Sequence, residues 1–237
     1  MGTNPEISQH YPKTIALDET LVQTGPQFLR LKPAGVPQIR QVSLRLMGAI
    51  DKAKILEFAD ALPEEDLLFL RSDISDPAAV DDWIEDIERG TTVTLLAEPD
   101  GIPAGYSSLH VNPLRWTHKV GEISMHIAPD WRSRGLGEGL CAEIMALAGT
   151  LELRKITAQM VADHKSARAL FERQGFHVEA LLSDWVEDRN GNCRLLLMAY
   201  ELRTPGAPWA RIEALAEGSH CRRHESFHPE HEQFAHS

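Results

Sequence analysis

The chain of 237 residues has few cysteines and lacks long apolar runs. Its three cysteines lie far apart and form no CxxC pair, which argues against a disulfide framework, a zinc motif or a redox motif. No apolar run approaches the roughly 18 residues that cross a bilayer, and the N-terminus lacks the basic-then-apolar pattern of a signal peptide. We therefore expect a cytoplasmic protein that does not bind membranes.

Basic residues are fewer than acidic ones. The chain has 24 lysines and arginines and 35 acidic residues, so the formal net charge is -11 at pH 7. A phosphate backbone would be repelled at long range, so we expect no nucleic-acid partner and a weak preference for cationic amines. Hydrophobic content of 43% and charged content of 25% are typical of globular proteins. The length favours one domain with extensions.

The two ends of the chain lack a sustained apolar period. Residues 1–37 carry scattered prolines and are predicted to form an irregular N-terminal arm outside the fold. Residues 203–237 are predicted to form a polar, His-rich C-terminal tail that activity does not require. His220, His224 and His228 repeat at four-residue spacing, so a metal-binding helix is the alternative reading of this tail. A disordered tail is favoured, and no metal is expected to be required.

Between the two ends, apolar periodicity alternates between the patterns of strands and of helices. Glycine, proline and Asp-Gly signals separate the segments, and Asp76 with Pro77 marks the start of a helix. The predicted order is β-αα-βββ-α-β-α-ββ. Strands are predicted at 38–46, 91–97, 102–111, 120–127 and 156–161, followed by a final pair around the turn at 188–192.

A glycine-rich loop lies directly between the strand at 120–127 and the helix that follows it. Its sequence is Arg132-Ser133-Arg134-Gly135-Leu136-Gly137, an R-x-x-G-x-G pattern. Glycines allow close backbone approach, and the amides at a helix N-terminus point toward an anion, so the loop is predicted to hold phosphate. The spacing does not fit the Rossmann fingerprint, and the Gly-Lys-Ser/Thr of a Walker loop is missing.

The segment from Ile127 to Gly137 closely resembles the cofactor motif of the GNAT acyltransferases, in which an apolar residue, a proline and R-x-x-G-x-G stand in this register. A second resemblance follows in order, to the family's A-x-x-L-Y-x-x-x-G-F helix. It is carried by Ala167, Leu170, Phe171, Gly175 and Phe176.

The resemblance extends from about Gln41 to Leu202, so residues 38–202 are predicted to be an N-acetyltransferase domain. It implies an α+β fold, an α/β/α sandwich around a mixed central sheet whose fourth and fifth strands splay apart.

The resemblance also implies acetyl-CoA as cosubstrate and a set of residues that contact it. Backbone groups near Ile127 would bond pantetheine, and the loop amides would hold pyrophosphate. His164 stands where the family often has asparagine against the cofactor, and Phe171 would pack against pantetheine. The predicted contacts are therefore Ile127, Arg132, Ser133, Arg134, Gly135, Leu136, Gly137, His164 and Phe171.

Transfer to an amine needs a group that accepts the ammonium proton. Glu122, on the strand that leads into the loop, is predicted to be this base, since some family members place a glutamate there. Ser124 and His126 share its face by period-two alternation, so His126 is the alternative base. Phe171 replaces the family's usual tyrosine and cannot protonate the departing thiolate.

The expected function is transfer of an acetyl group from acetyl-CoA to a primary amine in a ternary complex. The acceptor is left open among protein amines, polyamines, amino acids and aminoglycosides, and a homodimer is left open as well. One alternative is a sensor or interaction module that binds acyl-CoA without catalysis. Another is a nucleotide-binding domain of a different fold.

Overall fold

A computed structural model describes residues 5–18, 21–24, 27–30, 39–67, 70–112, 116–188 and 191–202. Its helices are α1 (Pro5–Ser8), α2 (Lys52–Asp60), α3 (Glu64–Leu67), α4 (Pro77–Arg89), α5 (Leu136–Thr150) and α6 (Lys165–Arg173). Its strands are β1 (Lys13–Asp18), β2 (Leu21–Thr24), β3 (Gln27–Arg30), β4 (Ile39–Leu46), β5 (Thr92–Glu98), β6 (Gly105–Val111), β7 (Val120–Ile127), β8 (Lys155–Val161), β9 (His177–Asp188) and β10 (Gly191–Glu201). Among these helices, none has the length and apolar character needed to span a membrane.

Eight strands form one mixed sheet in the order β1-β4-β5-β6-β7-β8-β10-β9. Strands β7 and β8 pair in parallel, and α5 connects them as a crossover helix. The other described neighbours in this sheet pair antiparallel. Strands β2 and β3 form a separate two-stranded hairpin.

Helices cover both faces of the sheet because both faces of its central strands are apolar. All seven residues of β5 are buried, with Leu95 packing into one core and Leu96 into the other. The first core contains the apolar face of α5 together with Phe171 of α6. The second contains the buried residues of α2 and α4. This arrangement confirms the predicted α/β/α sandwich.

Helix α4 shows how local sequence sets the boundaries of an element. The Asp76 side chain accepts a hydrogen bond from the amide of Ala78, and Pro77 occupies the first helical turn. Gly90 ends the helix at φ 76°, a left-handed conformation that glycine adopts without steric cost. Residues spaced three and four apart on one face are buried: Val80, Trp83, Ile84 and Ile87.

Part of the N-terminal segment belongs to the main sheet, which corrects the prediction of an irregular arm outside the fold. Strand β1 extends the sheet by pairing antiparallel with β4, from Lys13 opposite Leu44 to Asp18 opposite Ile39. Ile7 and Leu17 belong to the first core, at 2% and 6% exposure. The apolar alternation in this segment is short and is flanked by prolines, so proline content masked a real edge strand. Residues 203–237 lie outside the described ranges, and the prediction of a polar tail stays open.

Candidate active site

The parallel pair at the centre of the sheet opens partway along its length. Pairing between β7 and β8 ends at Ile123 opposite Ala158. Beyond that point β7 stays paired with β6 as far as Ile127, and β8 stays paired with β10 as far as Val161. The two strands therefore diverge, as predicted, and leave a gap that we call the wedge.

The backbone of β7 lines the wedge with hydrogen-bonding groups. The amide of Ala128 donates to the carbonyl of Ala104 at 2.9 Å, which continues the ladder between β7 and β6. In an antiparallel ladder, alternate residues direct their backbone groups to one neighbour. Met125 and Ile127 therefore direct their amides and carbonyls toward the β8 side, beyond the last β7–β8 pair. These groups can bond a linear ligand that lies in the wedge.

The glycine loop joins the open end of β7 to α5, and its two glycines serve different purposes. Gly135 is the N-cap of α5 at φ 86°, a conformation that side chains rarely adopt. Gly137 lies in the first turn, where an added Cβ would stand 2.6 Å from Cδ1 of Leu170 on α6. One glycine thus permits the turn, and the other permits close packing of the two helices. Ser133 also has a left-handed backbone, with φ 58°.

The amides of the first turn of α5 have no partner within the helix, as at any helix N-terminus. Together with the tight turn at Gly135, they form a cradle suited to an anionic group. The side chain of Leu136 is fully buried, so this residue contributes to the cradle through its backbone. The geometry thus fits the predicted pyrophosphate site.

The arginines of the loop make contacts that the sequence motif does not reveal. Nε of Arg132 donates to the carbonyl oxygen of Ile127 at 2.9 Å, and its Nη2 contacts Asp66 of α3 at 2.6 Å. Arg134 lies over the Trp131 ring, with 5.7 Å from Cζ to the ring centroid, and Arg40 lies over the same ring at 4.7 Å. A direct contact between either loop arginine and a cofactor stays a prediction.

His164 and Phe171 lie at the start of α6 and within it, in the segment that follows β8. His164 is the N-cap residue of α6, and its exposed side chain makes no capping hydrogen bond. Desolvation and the positive charge of Arg132 lower the pKa of His164, while Asp66 opposes the shift. Phe171 is 7% exposed and packs edge-on against Phe176, with ring centroids 5.0 Å apart. It forms part of the core beneath the site, and its contact with pantetheine stays a prediction.

Glu122 occupies the point where the wedge begins. It pairs with Thr157 of β8 one residue before the end of the ladder, and its side chain is 30% exposed. Arg71 Nη1 donates to its Oε1 at 2.6 Å, and Gln159 Nε2 donates to its Oε2 at 3.3 Å. The carboxylate is thus partly accessible and lies on the same face of β7 as Ser124 and His126.

The structure argues against His126 as the base. Its ring packs against Phe58 and Tyr106, at centroid distances of 6.1 and 6.4 Å. Its Nε2 is buried and has no hydrogen-bond partner within the described residues. Desolvation lowers the pKa of His126 to about 4, an effect that Asp66 opposes and that Arg132 and His164 reinforce. The ring is therefore neutral at physiological pH and binds a proton weakly.

A hydrogen-bonded chain lies beside Glu122 on the same face of the sheet. Thr92 Oγ1 contacts Nδ1 of His110 at 3.0 Å, and Nε2 of His110 contacts Ser124 Oγ at 2.9 Å. Desolvation and the charge of Arg71 lower the pKa of His110 to about 4, so its ring is also neutral at physiological pH. The chain holds Ser124 in place next to Glu122.

Sequence reasoning missed several residues of this site, chiefly Asp66, Arg71, His110 and Gln159. No motif marks Asp66 or Arg71, which lie in and after the short helix α3. His110 and Gln159 could have been found by register, because they occupy the strands on either side of Glu122. The part of the chain that the structure describes contains no group of three or more metal-ligating side chains.

Comparison with known proteins identifies the fold. The model of the acetyltransferase (GNAT) family matches residues 57–176. The chain is similar to a ribosomal-protein-alanine N-acetyltransferase from Brucella melitensis, with a TM-score of 0.60 and 24% identity over 67% of this chain and 99% of that one. It is also similar to an N-acetyltransferase from Staphylococcus aureus Mu50, with a TM-score of 0.61 and 16% identity over 68% of this chain and 99% of that one.

A third solved structure contains the cosubstrate expected from the sequence. It is a GNAT superfamily phosphinothricin acetyltransferase from Sinorhizobium meliloti in complex with acetyl-CoA. The TM-score is 0.59, with 19% identity over 70% of this chain and 95% of that one. At these identities the likeness concerns the fold. No curated protein matches the chain by sequence.

Proposed function

The chain belongs to the acetyltransferase (GNAT) family, and on this premise we propose that it transfers an acetyl group from acetyl-CoA to a primary amine of a small molecule or protein. The amine attacks directly while both substrates are bound. The observation that carries this proposal is the position of Glu122, an accessible carboxylate at the start of the wedge. The acyl end of a thioester lying along β7 would end beside it.

The cofactor side of the site fits acetyl-CoA. The first-turn amides of α5 and the turn at Gly135 suit a pyrophosphate, and the wedge-facing backbone of Met125 and Ile127 suits the amides of pantetheine. From the last β7–β8 pair at Ile123 to Ile127 the strand covers roughly 13 Å, along which part of an extended arm can lie. When bound, acetyl-CoA supplies an activated thioester. His164 and Phe171 would border the arm from α6.

The acceptor side of the site depends on proton transfer. An amine is protonated at neutral pH and must lose a proton before its nitrogen can attack a carbonyl carbon. Glu122 would accept that proton, directly or through one water. The new N–C bond would form at the carbonyl carbon as charge moves to the carbonyl oxygen, and the C–S bond would then break with its electron pair going to sulfur.

The oxyanion and the leaving group have different supports in this site. The amide of Met125, the wedge-facing amide nearest to Glu122 beyond the last β7–β8 pair, would donate to the oxyanion, because it belongs to a rigid strand. Phe171 cannot donate a proton, so the thiolate would take its proton from water. A thiolate is stable enough to leave in this way, because a thiol is far more acidic than a neutral amine.

A second reading follows from Phe171, which replaces the family's usual acid. In that reading the chain binds acyl-CoA as a sensor or interaction module and transfers nothing. Binding of acetyl-CoA without release of free thiol, over a broad amine panel, would support it.

The test of the proposed function combines an amine panel with detection of free thiol. We expect at least one amine to release thiol from acetyl-CoA and to yield an acetylated product by mass spectrometry. Glu122→Gln should lower kcat by about 100-fold or more, with acetyl-CoA affinity little changed. Glu85→Gln, at an exposed i,i+4 ion pair of α4, is the matched control. Wild-type rates for Glu122→Gln across pH would remove its assignment as the base.

A further inference from the structure

Arg71 contacts Glu122, the base of the proposed reaction. Its Nη1 lies 2.6 Å from Oε1 of Glu122, and its side chain is 48% exposed. Its charge also reaches His110, whose pKa it helps to lower. Arg71 therefore lies over the face of β6 and β7 that an acceptor must approach to reach Glu122.

The use of this guanidinium differs from that of Arg45, a half-buried arginine of the same sheet. Arg45 is 24% exposed and donates through Nε, Nη1 and Nη2 to both Asp51 and Glu98. Arg71 donates through Nη1 alone, and its Nε and Nη2 make no hydrogen bond to another described residue. The first arrangement is a closed structural network. The second leaves one side of a planar fork exposed, and that fork matches a carboxylate in geometry.

The ion pair between Arg71 and Glu122 is inexpensive to open. Exposed or half-exposed ion pairs contribute little to stability, because water weakens the attraction between the charges and ordering two long side chains costs conformational entropy. A ligand that offers a charge to each partner can therefore replace the pair at small cost. An amine without a carboxylate would pair only with Glu122, and the charge of Arg71 would then stand beside a cationic ligand.

We propose that the Arg71–Glu122 pair receives a small zwitterionic amino acid, whose carboxylate binds Arg71 while its ammonium group binds Glu122. This inference rests on the proposed function and names its substrate class. The two charges of an α-amino acid stand on one carbon, so they reach both partners once the pair has opened. Arg71 holds the carboxylate through two nitrogens of its fork, and Glu122 gains an oxygen free to accept the ammonium proton.

The arrangement couples substrate choice to the availability of the base. With no acceptor bound, Arg71 occupies Glu122 Oε1. An acceptor with a carboxylate draws Arg71 away and releases that oxygen, whereas an amine without one leaves the base occupied. The acetyl group then passes from sulfur to the acceptor nitrogen, the ammonium proton goes to Glu122, and the products are an N-acetyl amino acid and free coenzyme A. Carboxamides of the same amino acids should be poor acceptors.

The experiment compares L-amino acids with their carboxamides at saturating acetyl-CoA, using the full chain. The panel contains amino acids with acidic, basic and apolar side chains, each together with its carboxamide. The readout is the release of free thiol. We expect the wild type to favour at least one acid over its amide by about 10- to 100-fold in kcat/KM, the range for a charge-assisted contact. Arg71→Gln should reduce that ratio to near one, through loss on the acid and gain on the amide, and Arg71→Lys should retain part of it. Arg89→Gln, at an exposed ion pair of α4, should keep the wild-type ratio.

The outcomes separate this inference from the proposed function. If no amine of any class supports the release of thiol, the proposed function itself is wrong. Equal use of acids and amides by the wild type, or a preference for peptide amines or polyamines, would overturn the inference and leave the function standing. An equal loss on acids and amides in Arg71→Gln would also overturn it, because that result would mean that Arg71 only supports Glu122. Collapse of the ratio, with the KM for acetyl-CoA unchanged, would support it.

Discussion

Nε of Arg132 donates a 2.9 Å hydrogen bond to the carbonyl oxygen of Ile127, five residues earlier in the chain. The bond fastens the glycine loop to the last residue of β7, at the mouth of the wedge. Asp66 holds the other end of the same guanidinium at 2.6 Å. One side chain thus connects the glycine loop, the central strand and helix α3.

This connection predicts that Arg132 positions the glycine loop for the binding of acetyl-CoA. Lysine has a single nitrogen and cannot satisfy both partners in this geometry, so Arg132→Lys should raise the apparent KM for acetyl-CoA about tenfold and lower kcat less. Asp66→Asn should act in the same direction with a smaller effect. Steady-state kinetics with acetyl-CoA as the varied substrate measures both. An unchanged KM in Arg132→Lys would contradict the assignment.

Two glycines of α5 should respond in opposite directions to alanine. Gly135 has φ 86°, so Gly135→Ala should cost about 1–2 kcal/mol of the free energy of unfolding and weaken acetyl-CoA binding. Gly149 lies in the last turn with nothing within 4 Å of an added Cβ, so Gly149→Ala should add about 0.5–1 kcal/mol. Urea unfolding and calorimetric titration with acetyl-CoA measure the two effects. Equal stability of the two variants would argue against strain at Gly135.

The buried imidazole of His126 should make stability depend on pH. Its pKa is lowered to about 4, chiefly by desolvation, whereas an unfolded histidine titrates near 6.5. Between these values the unfolded chain binds a proton that the folded chain does not, so stability falls as the pH is lowered through this window. His126→Leu should reduce that slope by up to about 1.4 kcal/mol per pH unit, while His110 keeps its own contribution.

Urea unfolding at pH 8, 6 and 5 measures this slope for the wild type and His126→Leu. At pH 8 the variant should be close to the wild type, because the lost Nε2 has no partner within the described residues. Identical slopes for the two proteins would show that His126 becomes protonated in the folded state without cost.

Strand β1 should contribute to the cooperative core. Leu17 is 6% exposed, so Leu17→Ala should cost about 2–4 kcal/mol of the free energy of unfolding. Thr14 is exposed on the same strand, and Thr14→Ala should stay within about 0.5 kcal/mol of the wild type. Chemical denaturation compares the two. A Leu17→Ala variant as stable as Thr14→Ala would place β1 outside the cooperative unit.

Features that depend on neighbouring residues could be predicted from the sequence. The order of strand, glycine loop and helix follows from local periodicity, because burial on one face of an element imposes its own repeat on the residues. The common face of Glu122, Ser124 and His126 follows from the period of two along β7. The left-handed turn at Gly135 follows from the conformational freedom of glycine. These patterns are local, so one sequence is enough to read them.

Contacts between distant segments were decided by the tertiary structure alone. Arg71 meets Glu122 across 51 positions of sequence, and Asp66 meets Arg132 across 66. No short-range pattern encodes such meetings, because they depend on how α3 and the segment after it pack over the assembled sheet. The docking of β1 beside β4, the end of the β7–β8 ladder at Ile123 and the desolvation of His126 have the same origin. Each requires that remote surfaces exclude water together, and only the folded chain brings those surfaces into contact.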